Sequence, residues 1–366
     1  MLATLLLAFA AAQAPAFDPS RWAIHDPRAI AQTYLGASSL FIDGGVALLK
    51  ESTFGDGTID VDVAMHGHAS FAGVVFRAAS EDNYELVYVR PHRSRQPDAL
   101  QYTPVFDGSE AWQLYSGAGY TAAAELPANR WVHLRLVVSG YSARLFVDGA
   151  ADPALVVTDL KRPWARGRVG LWGRLGGANF ANFSFTPAAT EAPAPRADRP
   201  ASDQLLMDWQ LSNALDTARV RDDTLPDLKG LAWSAVRAED SGVVNIGRYR
   251  KSARTGASSP AAGRDLVFAR TTIASVKPRQ ARLVFAYSDA VHVFLNGRLL
   301  YAGESAFRSR DPGFLGIASI GPDALYIDLV PGSNELVLAV SETFGGWGFA
   351  ARLEPRGPNL GLSPDR

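Results

Sequence analysis

The sequence predicts an all-β protein of two β-sandwich domains that a Pro/Ala-rich linker joins. Both halves consist of short apolar segments that alternate with polar residues, and turn residues recur about every ten positions. Residues 187–203 combine proline, alanine and charge without periodicity, which is typical of a linker. Because 366 residues suffice for about two domains, we expect sandwiches at 17–186 and 204–366.

The composition is that of an ordinary globular protein and excludes several classes of function. The net charge is −1, so no global electrostatic field attracts nucleic acid or a membrane surface. The chain has no cysteine, which excludes disulfides, thiolate nucleophiles and cysteine zinc sites. No apolar run is long enough to span a membrane, and the composition leaves the oligomeric state open.

The N-terminus has the pattern of an export signal. Residues 2–12 form an apolar run of the length found in signal peptides, and the small residues AAAQAPA complete the pattern. No Lys or Arg precedes the run, and the alternative is a plain apolar N-terminus. We expect residues 1–16 to be a signal peptide of the bacterial type. The protein would then be exported, and it would be periplasmic or extracellular.

Strands and hairpins account for the first half. In TIDVDVAM, apolar Ile59, Val61 and Val63 alternate with polar neighbours, as in a half-buried strand. The short connection 80–82 between FAGVVFRA and NYELVYVR predicts a hairpin. A second hairpin is predicted in WVHLRLVVSGYSARLFVDG, with its turn at 139–140, and two further strands in GRVGLWGR and ANFANFSFTP.

The second half also consists of short predicted strands that turns connect. Strands are predicted in RDLVFARTTI, ARLVFAYSD, AVHVFLNGRLLY, DALYIDLVPGSNELVLAVSET and WGFAARLEP. Asn296-Gly297 is the residue pair most typical of a two-residue hairpin turn. A short helix is compatible with residues 203–215, although LLMDWQLSNAL could also begin as a strand.

The ordered segments of residues 40–186 resemble a known family. They are FIDGGVALLKESTFGDGTIDVDV, FAGVVFR, NYELVYVR, ANRWVHLRLVVSGYSARLFVDG and GRVGLWGRLGGANFANFSF. This order resembles the concanavalin A-like lectin/glucanase sandwich and, more narrowly, the bacterial 3-keto-disaccharide hydrolase type of domain. The resemblance implies a sugar site on the concave sheet. Hydrolase-type domains show Tyr-Glu-x-Gln in one strand, whereas residues 84–87 here read Tyr-Glu-Leu-Val.

The second half resembles a different domain. ARTTI, ARLVFAYSDAVHVFLNGRLLY and DLVPGSNELVLAVSE are similar to the galactose-binding-like jelly roll that accompanies glycosidases and sialic-acid esterases. The resemblance implies a domain that often supports its neighbour rather than binding sugar. Trp347, in SETFGGWGFAARL, is either part of this domain's core or a second sugar platform.

The first hairpin predicts which side chains share a face. A turn near Glu81 pairs Arg77 with Glu85 on an outward face, and it places Tyr84, Leu86 and Tyr88 on the core. We interpret Arg77 and Glu85 either as a solvated ion pair or as part of a sugar site.

Residues 84–108, YELVYVRPHRSRQPDALQYTPVFDG, hold the densest polar and aromatic group, which is either a sugar site or a solvated loop. His92 is the candidate base, because its pKa lies nearest neutrality, with Glu85 or Asp98 as its orienting residue or as the acid. Five further residues are candidates for binding substrate: Arg77, Arg90, Gln101, Tyr102 and Trp112.

Other chemistry-bearing residues have weaker patterns. Asp60 and Asp62 share one strand face and could form a glycosidase pair, but the third acid of a glucanase motif is absent and a solvated face is the alternative. His66 and His68 could reach one metal ion, yet no third ligand is evident, and we predict no metal site. No cofactor is predicted; a structural calcium ion is common in lectin-like sandwiches, but no loop can be assigned to it.

Three functions follow from these patterns. The first is an exported protein that binds a glycan or glycoside on the concave face of the N-terminal sandwich. The second is a hydrolase or lyase that acts on a glycoside, of the 3-keto type that the resemblance implies. The third is a non-catalytic scaffold or interaction protein.

Overall fold

A computed structural model describes residues 17–189, 191–194, 204–216, 224–251 and 265–355. Their regular structure consists of strands and of short 3-10 helices at Pro19–Arg21, Pro91–Arg93 and Ile246–Arg248, and the strands pair in antiparallel fashion. The predicted all-β fold class is thereby confirmed. The predicted signal peptide, and linker residues 190 and 195–203, lie outside the described residues. Within those ranges, no helix has the length and apolar character required to cross a membrane.

The chain divides into two compact units. The first contains Met1–Glu81, Glu85–Gln101 and Thr121–Ala192. The second contains Asp82–Tyr84, Tyr102–Tyr120 and Pro193–Arg366. Two segments from the first half of the sequence therefore belong to the second unit.

Strands β1 to β13 follow one another through the first half of the chain. They are β1 (Trp22–His25), β2 (Ile30–Tyr34), β3 (Ala37–Leu49), β4 (Gly57–Met65), β5 (Phe71–Ser80), β6 (Asn83–Val89), β7 (Leu100–Phe106), β8 (Ser109–Glu110), β9 (Thr121–Ala122), β10 (Trp131–Ser139), β11 (Ser142–Val147), β12 (Leu155–Val157) and β13 (Arg168–Pro187).

The long strand β13 organises the first unit. Its first part pairs with β5 on one side and with the end of β3 on the other, and its second part pairs with β4. Beyond β4 the order continues through β10, β11 and β12, while β6 lies beyond β5. The alternation predicted in β4 is confirmed, because Ile59, Val61 and Val63 are fully buried and Asp60 and Asp62 lie on the opposite face.

Two irregularities of the first unit bear on the candidate site, one in β5 and one in β13. Along β5, three residue steps from Val75 to Ala78 match two steps on β13, so β5 carries one extra residue at positions 76–77. Arg77 adopts a positive φ of 50° there. Along β13, four steps from Arg174 to Ala178 match two on β3, so residues 175–177 bulge out of the ladder.

The second unit contains strands β14 to β24. They are β14 (Asp208–Ser212), β15 (Leu215–Asp216), β16 (Trp233–Arg237), β17 (Val243–Asn245), β18 (Asp265–Ser275), β19 (Arg279–Ser288), β20 (Ala290–Leu295), β21 (Arg298–Glu304), β22 (Asp323–Leu329), β23 (Gly332–Glu342) and β24 (Gly348–Pro355). One sheet has the order β16-β14-β18-β23-β20-β21, with β15 on β18, and the other has the order β17-β24-β19-β22.

Apolar side chains from both sheets form the core of this unit, among them Phe285, Val293 and Leu338. Asn296 and Gly297 form the predicted turn between β20 and β21, with φ values of 51° and 81°. The helix considered for 203–215 is wrong, because the described part of this segment forms β14 and β15. Trp347 is 3% exposed and donates to the Val340 carbonyl, so it is a core residue and not a platform.

Candidate functional site

Five side chains of the first unit form the group that we name the Tyr88 cluster. Phe71 lies on β5, Tyr88 on β6, Arg90 just after β6, Gln101 on β7 and Trp172 on β13. All except Phe71 are at most 7% exposed. Trp172 alternates with Arg174 along β13, so both point to the same face of the sheet, and Arg174 is only half-buried. The cluster therefore lies on the face of the sheet that reaches solvent at Arg174.

A hydrogen-bonded network connects the polar members of the Tyr88 cluster. The Tyr88 hydroxyl donates to Gln101 Oε1 at 2.9 Å, and Arg90 Nη2 donates to the Tyr88 hydroxyl at 2.7 Å. Arg90 Nη2 also donates to Gln101 Oε1. These bonds compensate the burial of the Arg90 guanidinium, which would otherwise be costly.

The 3-10 turn that follows β6 holds the outer side of Arg90. Arg90 Nη1 donates to the Asp98 carbonyl at 2.8 Å and lies 3.4 Å from the Asp98 carboxylate. Arg93 Nη2 reaches the same carboxylate at 2.9 Å. Two guanidinium groups therefore share the Asp98 carboxylate, which fixes the loop against the strand ends.

Aromatic rings form the other half of the Tyr88 cluster. The Tyr88 ring centre lies 5.4 Å from that of Trp172 and 5.9 Å from that of Phe71. Gly73 is the β5 partner of Trp172, and a Cβ there would lie 2.9 Å from the Cβ of Tyr88, so the glycine lets the rings approach. Trp172 Nε1 is buried, and no acceptor within the described part of the chain lies within hydrogen-bond distance.

The bulge at 175–177 forms one rim of the cluster. Arg174 lies over the Trp172 ring, 5.7 Å from its centre, and the next side chain, Leu175, is 66% exposed. Gly176 has a φ of +99°, and a Cβ there would collide with the His68 ring. Its amide donates to Asp43 Oδ1 at 2.5 Å. The bulge is therefore held in place and carries Arg174 and Leu175 to the surface.

His92 forms the opposite rim and is exposed. Its Nδ1 lies 3.2 Å from the Ser70 carbonyl, and its ring meets Phe71 edge-on at 5.1 Å. Partial burial lowers the pKa of His92, the hydrogen bond to Ser70 opposes this, and Arg90 and Arg93 lower it further. The surroundings of His92 therefore favour its neutral form on balance, although Asp98 opposes this as well.

The predicted outward pair Arg77 and Glu85 is buried. Arg77 is 5% exposed and Glu85 is fully buried. The extra residue of β5 redirects Arg77, which donates to the Asp56 carboxylate at 2.7 Å and to the Gly140 carbonyl at 2.6 Å. Glu85 accepts the Arg162 amide at 3.1 Å. The expectation of a solvent-facing Arg77–Glu85 pair is therefore wrong.

The burial predicted for Tyr88 is confirmed, and the structure adds the partners of its side chain. Tyr88 packs on Trp172 and bonds to Arg90 and Gln101 on the face that carries Arg174. Sequence reasoning missed Trp172 and Phe71 because neither lies within residues 84–108. The sequence pointed to Trp172 in one way only: Trp172 lies two residues before Arg174 in a predicted strand, so the two side chains share a face.

Two predicted binding residues belong to the second compact unit. Tyr102 is fully buried and stacks on Tyr120, with ring centres 6.2 Å apart. Trp112 meets Phe307 edge-on at 6.1 Å and lies 6.5 Å from Phe344. The Tyr88 cluster thus unites Arg90 and Gln101 of the predicted set, with His92 and Asp98 beside it.

A second polar network on the first unit escaped the sequence reasoning. His133 Nδ1 lies 2.7 Å from Asp62 and its Nε2 lies 3.1 Å from Asp60, while Arg135 donates to Asp60 at 2.7 Å. Pairing of β4 with β10 brings these residues together. The Asp60 and Asp62 side chains are about one-quarter exposed, and both are engaged by basic partners. This supports the solvated strand face and not a glycosidase pair.

The His66–His68 pair makes no metal centre in the described residues. The two rings stack 5.4 Å apart, and His68 Nε2 lies 3.3 Å from the Gly176 carbonyl. Within the described ranges, no group of three or more His, Cys, Asp or Glu side chains is arranged to hold a metal ion.

Comparison with known proteins gives similarity to solved structures only. No family model matches the chain, and no curated protein matches it. A carbohydrate-binding module of family 66 from Bacillus subtilis is 15% identical, with a TM-score of 0.36; the match covers 45% of this chain and 94% of that one. A Bacillus subtilis protein of unknown function with a galectin-like fold is 14% identical, with a TM-score of 0.35, over 46% of this chain and 89% of that one. A galectin from Caenorhabditis elegans is 12% identical, with a TM-score of 0.28, over 44% of this chain and 99% of that one.

Proposed function

We propose that the protein is an exported carbohydrate-binding protein and that the Tyr88 cluster holds a glycan or glycoside. One observation carries the proposal: the indole Nε1–H of Trp172 is buried among aromatic rings without an acceptor in the described residues. An unsatisfied buried donor costs about 1–3 kcal/mol. A sugar hydroxyl that accepts from this group, once Arg174 moves aside, would recover that energy.

The surroundings of Trp172 suit a sugar. Phe71 and Leu175 provide partly exposed apolar surface for the C–H groups of a ring, and Arg174 and His92 provide polar groups at the rim. The buried network of Arg90, Tyr88 and Gln101 fixes the floor, which reduces the entropy lost on binding.

The contacts of the two candidate acids, Asp98 and Glu85, favour binding over hydrolysis. Asp98 is engaged by Arg90 and Arg93, and Glu85 is fully buried and accepts a backbone amide. General acid–base catalysis requires a carboxyl group within reach of the scissile bond. His92 is a rim residue whose contacts are with Ser70 and Phe71.

A glycan array that presents neutral and acidic oligosaccharides tests the proposal, with product analysis of every bound sugar. Wild type should bind at least one class of glycan without releasing products, and Phe71→Ala should lose that binding. Phe41→Ala is the matched control, because Phe41 is a partly exposed aromatic residue of the same unit that contacts His66 instead. Absence of binding to every glycan would overturn the proposal, and product release would replace it with the enzymatic function. Export is tested separately, by the N-terminal sequence of the mature protein.

A further inference from the structure

The second unit contains a small cavity of mixed apolar and polar lining at one end of the sheet formed by β17, β24, β19 and β22. Tyr287 at the end of β19, Asp323 at the start of β22 and residues of the 305–322 loop line it. Its volume is about 40 Å³. A buried water needs roughly 10–15 Å³, so the cavity accommodates about three or four groups of that size and not a whole sugar ring.

A chain of hydrogen bonds connects three residues of the cavity wall, Tyr287, Asp323 and Arg310. The hydroxyls of Tyr287 and Tyr301 lie 2.9 Å apart, and Tyr301 donates to Asp323 Oδ1 at 3.3 Å. Arg310 Nη2 donates to Asp323 Oδ2 at 3.3 Å. Bonds of this length are at the weak end of the range, and both the carboxylate and the guanidinium have capacity for further partners. The cavity therefore presents an acceptor and a donor side by side.

Gly303 on β21 lies directly against the two hydroxyls. A Cβ at this position would collide with the hydroxyls of both Tyr287 and Tyr301. Its φ is not in the left-handed region, so the backbone does not require glycine here. The close approach of the two hydroxyls to the Gly303 backbone explains the glycine, which lets them lie where they border the cavity.

The charges of the cavity indicate a neutral ligand. Arg310 and Asp323 form an ion pair, so their charges cancel. The Arg310 guanidinium also lies over the Phe314 ring, 4.8 Å from its centre, which holds the side chain in place. A hydroxyl group both donates and accepts, so two adjacent hydroxyls match an adjacent carboxylate and guanidinium.

We propose that this cavity is a second binding site, which takes the vicinal-diol or hydroxymethyl end of a neutral polyol or sugar. Asp323 accepts from one hydroxyl, Arg310 donates to its neighbour, and Tyr287 and Tyr301 complete the contacts. The Tyr88 cluster has no part in this site.

Glycerol and 1-propanol provide matched probes for the full chain, since both have three carbons and only glycerol has vicinal hydroxyls. The readout is the ring signals of Tyr287 and Tyr301 in protein labelled at tyrosine, assigned with Tyr287→Phe and Tyr301→Phe. Glycerol should shift these signals saturably, and 1-propanol should not. Equal or unsaturable responses to the two probes would overturn the proposal.

Two variants locate the effect. Asp323→Asn should weaken glycerol binding at least about tenfold, because it removes a charged acceptor. Asp328→Asn is the matched control: it lies on the same strand, is exposed and interacts with Gln280. Gly303→Ala should weaken binding, because the new Cβ would displace the hydroxyls of Tyr287 and Tyr301. If Gly303→Ala does not fold, the two aspartate variants decide alone, and equal glycerol affinities in them contradict the site.

Discussion

Arg90 contacts Tyr88 in two ways: it donates to the phenol oxygen at 2.7 Å, and its guanidinium carbon lies 4.9 Å from the centre of the same ring. The contact joins the polar network to the aromatic rings of the Tyr88 cluster. The contact also explains how the charged Arg90 side chain can be almost fully buried here, with only 7% of the residue exposed. The hydroxyl of Tyr88 is therefore a structural link as well as part of the proposed site.

Tyr88→Phe should lower the free energy of unfolding by about 1–3 kcal/mol, because the change leaves Arg90 and Gln101 each without one buried partner. Urea denaturation, followed by fluorescence, measures this. Tyr326→Phe is the control, since Tyr326 is 57% exposed, and its effect should stay within about 0.5 kcal/mol. Equal effects of the two changes would show that the hydroxyl link contributes nothing.

Asp56→Asn should destabilise the protein by about 3–5 kcal/mol, because it removes the carboxylate that faces the buried Arg77 guanidinium. Asp148→Asn removes the partner of Arg130 in an exposed ion pair and should cost about 0–1 kcal/mol. Chemical denaturation of both variants and of wild type measures the two losses in stability, which are then compared. A cost for Asp56→Asn as small as that for Asp148→Asn would contradict the burial of Arg77.

The pKa of His92 should lie below 6.5 in the folded protein, because burial, Arg90 and Arg93 disfavour its protonated form. The unfolded chain then binds its proton at a higher pH than the folded chain does. The contribution of His92 to stability is therefore complete above pH 6.5 and is lost as the pH falls through the folded pKa. Histidine NMR titration tests this.

Arg93→Gln serves as the charge variant for this titration. It removes one cation that acts on the imidazole, so the pKa of His92 should move upward toward 6.5. Arg95→Gln is the control, since Arg95 is exposed and pairs with Glu125. A His92 pKa at or above 6.5 in wild type, or equal shifts in both variants, would contradict the described electrostatics.

Gly176→Ala should destabilise the first unit and weaken glycan binding, because the new Cβ meets the His68 ring and the φ of +99° disfavours alanine. A cost of more than about 1 kcal/mol is expected. Gly67→Ala is the control, as no atom lies within 4 Å of a Cβ there and its φ is ordinary. Thermal unfolding and glycan titration of both variants check the role of the bulge. Unchanged binding in a folded Gly176→Ala protein would separate the bulge from the site.

The period-two pattern predicted the strands well, but it could not predict which face each side chain occupies beyond a bulge. In β4, where the pairing with β10 is regular, the buried and outward residues are those that the alternation indicates. In β5, one extra residue before Ala78 redirects Arg77. Alternation defines a face only while the ladder is unbroken.

The candidate site was predictable only where its residues are close in sequence. Arg90, His92 and Asp98 lie within one short loop, and the loop was identified from its composition. Trp172 reaches Tyr88 only because β13 pairs with β5, and His133 reaches Asp62 only because β10 pairs with β4. Such pairings depend on the packing of the whole unit, which no local pattern encodes.

The indole Nε1–H signal of Trp172 tests the central claim most directly. The measurement is a two-dimensional NMR spectrum of protein with nitrogen-15 at the indole, recorded with increasing amounts of a glycan identified on the array. Loss of the signal in Trp172→Phe assigns it. The account predicts a saturable downfield shift at Trp172, with the same dissociation constant as a separate calorimetric titration with that glycan. Glycan binding that leaves the Trp172 signal unmoved would contradict it.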